Sequence, residues 1–187
     1  MAQHDKFSWR WLLLLAVVFI GVFAGTRHYL ANDIVDGDSM QPTLESGQRL
    51  LSVKQVQPKR FDIIVLNAPD KTNQLYIKRV IGMPGDTIKV TNDQLYINGH
   101  KQNEPYLHTA FAKRSLKHYA VADFTGNFSL ATLKATDSTK VPAHHYFVMG
   151  DNRLISHDGR AFGFISDAQV ESVVVCRYWP LSTWHKF

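Results

Sequence analysis

The chain has 187 residues, room for one domain of ordinary size plus an anchor, and its 45% hydrophobic and 20% charged content is that of a chain able to bury a core. The formal net charge is +5, but Lys and Arg are scattered, with no basic run that would track a phosphate backbone; this argues against a nucleic-acid partner, and a basic surface beside an anionic bilayer accounts for the same charge. The single cysteine, Cys176, rules out an internal disulfide, and its place in the β-rich run 170–178 suits a small buried hydrophobe rather than a nucleophile.

Residues 11–26 (WLLLLAVVFIGVFAGT) carry no charge and lie between Arg10 and Arg27. At about 1.5 Å per residue the run falls slightly short of a ~30 Å hydrocarbon core. Snorkelling of Arg10 and Arg27 lengthens it, and Trp9, Trp11 and Tyr29 suit the two interfacial belts. A transmembrane anchor is expected over residues 11–30. A cleaved signal peptide needs a small-x-small site after the run, and 23–29 (FAGTRHY) contains no good one. A core helix is disfavoured because the run is apolar on every side. Lys6, Arg10 and the amino terminus precede the span; Arg27 follows it, then Asp33, Asp36 and Asp38. This balance predicts a cytoplasmic tail at 1–10 and an extracytoplasmic domain at 31–187.

Beyond the span, short strands and turns dominate. Strands are predicted at 60–66, closed by the turn cluster NAPD, and at 75–81, stopped by GMPGD. Residues 87–90 and 94–97 read as a hairpin around 91–93, and further strands are predicted at 145–149 and 170–178. No long amphipathic helical period is visible, so the body is expected to be mainly β. Residues from about 101 to 141 are polar with scattered aromatics, and are read as a β-rich insertion or flap.

Three segments carry polar chemistry. Ser39 stands in VDGDSMQPTL, between a Gly-containing and a Pro-containing turn. Such a corner presents a hydroxyl beside converging backbone N–H groups, as an oxyanion hole requires, although a Ser in a Gly/Asp turn is more often only a turn. The Asp spacing there does not match a calcium loop. In the strand 75–81 (LYIKRVI), Tyr76, Lys78 and Val80 share one face, and Ile77, Arg79 and Ile81 the other. Each face carries a cation among apolar neighbours. That is the mark either of a protected edge strand or of a buried Lys with a lowered pKa. The lowering matters because at an unperturbed pKa only about one Lys in 2,500 is neutral at pH 7. The third segment, 150–163 (GDNRLISHDGRAFG), follows an apolar strand. Adjacent Ser156, His157 and Asp158 do not make a triad, since neighbouring side chains diverge. Asp158 and Arg160 are placed to pair with each other or with Arg79 and Asp151. The remaining histidines have no ligand frame, so no metal site and no cofactor are expected.

Together the segments GDSMQPTL (37–44), FDIIV (61–65), YIKRVIGMPGD (76–86) and the 150–163 loop resemble, in order and wording, the type I signal peptidases, the Ser/Lys family. A single anchor and a compact body look most like the Gram-positive type. The resemblance implies an antiparallel β-sheet catalytic body with a smaller β-rich insertion behind one membrane helix, removing signal peptides from secretory preproteins after small residues at −3 and −1. It implies Ser39 as nucleophile, Lys78 as general base and the Ser39 backbone N–H in the oxyanion hole. Ser156 would hydrogen-bond Lys78, Asp158 and Arg160 would hold the loop, and Asp151 would meet Arg79. Val35, Met40, Leu44, Tyr76 and Ile77 match positions lining the substrate pockets, with the substrate adding an extended strand. The sequence departs from many relatives at Gly159, where a second Ser is common, and shares Gly37 with many Gram-positive members. Self-cleaving repressors also use Ser and Lys but would have no use for the span, and a catalytically silent relative would not retain Ser39, Lys78 and Ser156 together.

Overall fold

The computed structural model describes residues 9–187. Helix α1 (Trp9–Tyr29) is fully unburied along its length, and it is the one described helix long and apolar enough to cross a membrane. It extends the expected span by two residues at its start, and its 21 residues reach about 31 Å at 1.5 Å per residue, which removes the shortfall. Of the expected tail, only Trp9 and Arg10 are described, and both are helical; residues 1–8, with Lys6, lie outside the described residues.

The chain then runs through β1 (Leu30–Ile34), β2 (Arg49–Lys54), β3 (Ile63–Asn67), β4 (Leu75–Gly82), β5 (Ile88–Thr91), β6 (Gln94–Ile97), β7 (His100–Lys101), α2 (Thr109–Tyr119), β8 (Phe128–Ser129), β9 (His145–Met149), α3 (Gly159–Phe162), β10 (Ile165–Ser166), β11 (Val170–Trp179) and β12 (His185–Lys186). The larger sheet has the order β1-β2-β11-β3-β4-β9-β10, with β12 also on β11, and the smaller has the order β7-β6-β5-β8. Every pairing is antiparallel.

The central strands are apolar at successive positions because both sheet faces are covered. In β3, Ile63 and Val65 join Val35, Met40, Leu44, Leu50 and Val174 in one core, while Ile64 and Leu66 join Val80, Tyr146, Val148 and Val173 on the opposite face. Strand β9 does the same, sending Phe147 and Met149 into a third core with Ile81, Ile88, Val90, Leu95 and Ile97. The β5–β6 hairpin turns on Asn92 and Asp93, both at positive φ, the conformation a tight two-residue hairpin demands. The Asp93 carboxylate then accepts from the backbone N–H groups of Phe124, Thr125 and Gly126, tying the insertion to the hairpin.

Two sequence expectations change here. The smaller sheet is built mostly from residues 88–101, and the 101–141 segment is not itself β-rich. Its main element is α2, and it places only Lys101 and Phe128–Ser129 in strands. The α2 sequence TAFAKRSLKHY is rich in helix formers. Its buried Ser115 and half-buried Phe111, Ala112 and Leu116 share one face over barely three turns, too short a run to declare a period. Likewise β3 begins at Ile63 rather than at residue 60, because Phe61 sits at φ +71, outside the extended region a strand requires.

Candidate active site

Strand β4 decides between the two readings of Lys78. It lies between β3 and β9 and buries Lys78, so the account of a solvated charge guarding an edge strand does not hold. Pairing with β3 covers 75–79, but pairing with β9 starts only at Arg79. The 75–78 stretch therefore has one flank without a strand partner among the described residues. A groove of about 670 Å³ opens along that flank. Tyr76, Ile77 and Lys78 form one side, and the segment from Asn32 to Met40 the other.

The Ser39 turn is held by its own sequence. Gly37 adopts φ +90, a conformation in which a side chain is strained. Met40 and Leu44 are both almost completely buried, and Leu44 N–H donates to the Met40 carbonyl at 3.0 Å, so the helical turn is pinned to the core at both ends. From the other side, Asn152 N–H donates to the Ser39 carbonyl at 3.0 Å and its side-chain amide donates to the Asp38 carbonyl at 3.2 Å. Gly150 is required by the same crowding: a Cβ there would lie 2.5 Å from the Ser39 carbonyl oxygen and 2.1 Å from Ser156 Oγ. The Ser39 N–H itself donates to no protein group among the described residues.

Across 39 residues of sequence, Lys78 Nζ lies 2.8 Å from Ser39 Oγ. Its second partner is the Ile77 carbonyl, at 3.1 Å. Only 4% of Lys78 is exposed. Burial disfavours the ammonium and pulls the pKa down to about 8, against the opposing attraction of the Asp158 and Asp151 carboxylates. At that value about one amine in ten is neutral at pH 7.

Behind the pair stand two buried ion pairs. Arg79 makes a two-pronged contact with Asp151, Nε to Oδ1 at 2.8 Å and Nη2 to Oδ2 at 2.6 Å, while its Nη1 donates to the Phe61 carbonyl at 2.7 Å. The Tyr106 ring covers the guanidinium, with the centroid 4.0 Å from Cζ. Thr43 donates to the same Asp151 carboxylate, so this pair joins β4, the nucleophile turn and the 150 loop. Asp158 accepts from Arg160 Nε and Nη2, both at 2.9 Å, and from the Gly150 N–H at 3.0 Å. Burial alone would raise the Asp158 carboxyl, but Arg160 and the N–H groups of Gly150 and Arg160 outweigh it and hold it below the usual range.

Val35, Met40, Tyr76 and Ile77 all line the groove. Two expectations are corrected. Leu44 is fully buried in the core that also holds Met40 and does not line the groove. Ser156 makes no bond to Lys78. Its Oγ is buried without a partner, and the Ile77 carbonyl takes the place beside the amine. His157, considered from the sequence only as a triad member and set aside, stands in the groove wall together with Asp70. The His157 ring pairs with the Asp70 carboxylate and packs edge-on against Tyr76 and Phe162. Nothing in a sequence signals a pair 87 residues apart.

The family model described as signal peptidase, peptidase S26, matches residues 8–179 of this chain. The chain belongs to the signal peptidase S26 family. Within it, this S26 member is 44% identical to the signal peptidase I of Bacillus caldolyticus over 183 residues, covering 95% of this chain and 94% of that one. It is 37% identical to signal peptidase IB of Staphylococcus aureus over 184 residues, covering 95% and 93%. The crystal structure of a signal peptidase I from Enterococcus faecalis V583 superposes with a TM-score of 0.57 at 46% identity, covering 63% of this S26 chain and 97% of that chain.

Proposed function

We propose that this chain is a membrane-anchored signal peptidase I that cleaves signal peptides from secretory preproteins with a Ser39–Lys78 dyad. The observation that carries the reading is the 2.8 Å approach of Lys78 Nζ to Ser39 Oγ by an amine that burial has brought down to about 8. Neutral Lys78 takes the Ser39 proton as Oγ attacks the scissile carbonyl. The unengaged Ser39 N–H stabilises the oxyanion that forms. Protonated Lys78 then donates to the leaving amine, and a water, deprotonated in turn by Lys78, releases the acyl group from Ser39. Arg79–Asp151 and Asp158–Arg160 hold the turn and the loop in register around this pair.

The substrate lies extended along the open flank of β4, adding a strand where β9 does not reach. Val35, Met40, Tyr76 and Ile77 give that groove its apolar surface, suited to small side chains at −3 and −1. The N-terminus is cytoplasmic and the domain extracytoplasmic, as the flanking charges favour. Strand β1 starts directly after α1, and the ten residues from Tyr29 to Ser39 span at most roughly 35 Å. The nucleophile is thus kept near the lipid surface, within reach of a substrate whose apolar segment is still in the bilayer.

The test is cleavage of a preprotein by the full chain in detergent, comparing wild type, Ser39→Ala and Lys78→Ala. Cleavage after a small-x-small site by wild type alone, with both variants folded, is the expected result. Retention of most activity by Lys78→Ala would end the dyad reading.

A further inference from the structure

Beside the groove lies a second cleft of about 250 Å³, and Asp38 and Ile155 border both hollows. One wall is the nucleophile turn and its support, Asp38, Gln41 and Asn152; the other is α2, through Phe111, Arg114 and His118. Phe111 packs edge-on against Phe124 at 6.3 Å, which fixes the helix in place. The groove takes the substrate before the scissile bond, so the segment after it must leave past Ser39, and this cleft is the hollow that adjoins that exit.

Its chemistry is specific. Asn152 lines the cleft and is only 4% exposed, and its Oδ1 is buried without a hydrogen-bond partner. Arg114 is exposed and makes no ion pair among the described residues. The whole of α2 carries Lys113, Arg114, Lys117 and His118 and no acidic residue. The one carboxylate lining the cleft, Asp38, already accepts from Gln41 Nε2 at 2.8 Å. That bond leaves the Asp38 charge in place on the opposite wall, but Asp38 makes no ion pair with Arg114, so the α2 wall presents a cation without a salt-bridge partner among the described residues.

We propose that this cleft is the subsite for the first residues of the mature chain, and that Arg114 makes it prefer an acidic side chain there. The proposal rests on the signal-peptidase reading. It requires Arg114 as a specificity residue with no part in the bond-breaking step. An exposed charge pair of this kind is worth up to about fivefold in a rate constant ratio.

The experiment uses the full chain in detergent and a set of peptides identical up to the scissile bond. After the bond, the first three positions carry one Glu, no charge, or one Lys. Wild type should show kcat/KM in the order Glu, neutral, Lys at one or more of these positions, with about threefold to fivefold between the extremes at low salt and less at high salt. Arg114→Ala should flatten the order and Arg114→Glu reverse it, while cleavage of the uncharged peptide stays within about twofold. Equal cleavage of all peptides by wild type, or an unchanged order in Arg114→Glu, overturns the subsite and leaves the dyad standing. Failure of wild type to cut any peptide would overturn the signal-peptidase reading, and the subsite with it.

Discussion

The rate of cleavage should follow the titration of Lys78, and the structure sets where. With the amine at about 8, the neutral fraction is about 1% at pH 6, about a tenth at pH 7 and about nine tenths at pH 9. The neutral form is the base, so kcat/KM rises with pH, about tenfold between pH 7 and 9, and levels off above. An unburied Lys would instead give about a hundredfold over the same interval with no plateau below pH 10. The perturbation is pH alone, and the assay is kcat/KM for an internally quenched peptide, cut by the full chain in detergent from pH 6 to 10. Because kcat/KM reports the free enzyme, the midpoint belongs to the unliganded site described above. A log-linear rise continuing through pH 9.5, or a flat profile between 7 and 9, would refute the claim that burial of Lys78 supplies the base.

Lys78→Met should be inactive yet more stable at pH 7. The folded pKa lies below the unfolded one, so the charged amine costs about 3 kcal/mol below pH 8, a cost that fades as pH rises towards 10.5. After subtracting about 1 kcal/mol for lost hydrogen bonds, the gain is about 2 kcal/mol, read as a higher Tm at pH 7 and little difference near pH 10.5. Asp151→Asn leaves the Arg79 guanidinium buried and unpaired, and should cost about 3–5 kcal/mol in thermal unfolding; an unchanged Tm would contradict the buried pair. Gly150→Ala drives a methyl into the Ser39 carbonyl, and should lower kcat far more than it raises KM, with a stability loss of about 1–3 kcal/mol. Ser156→Ala removes a buried hydroxyl that has no partner, so its Tm should hold or rise by up to the equivalent of about 1 kcal/mol; a clear fall would mean that the hydroxyl is bonded.

Much of this protein is local in origin and therefore legible in the chain. An uncharged apolar run with no good cleavage site after it announces the anchor within the chain itself. The apolar strands 63–67, 75–82, 145–149 and 170–179 show because both faces of the sheet are covered and period and composition agree. Ser39 in its Gly/Pro corner and Lys78 between apolar neighbours were visible as chemistry for the same reason. Helix α2 was not, since a short helix with one narrow buried stripe carries too little periodicity to outweigh its polar residues. What only the tertiary structure decided is distance and burial. Antiparallel pairing of β4 with β3 and β9 brings Lys78 to the turn 39 residues before it and Arg79 to Asp151, and the fold leaves Ser156 unbonded. The same packing sends both Met40 and Leu44 into one core, of which only Met40 borders the groove. The basicity of Lys78 belongs to this second class too. A pKa is set by the dielectric and charges around the amine, and those surroundings come from parts of the chain that meet only when it folds.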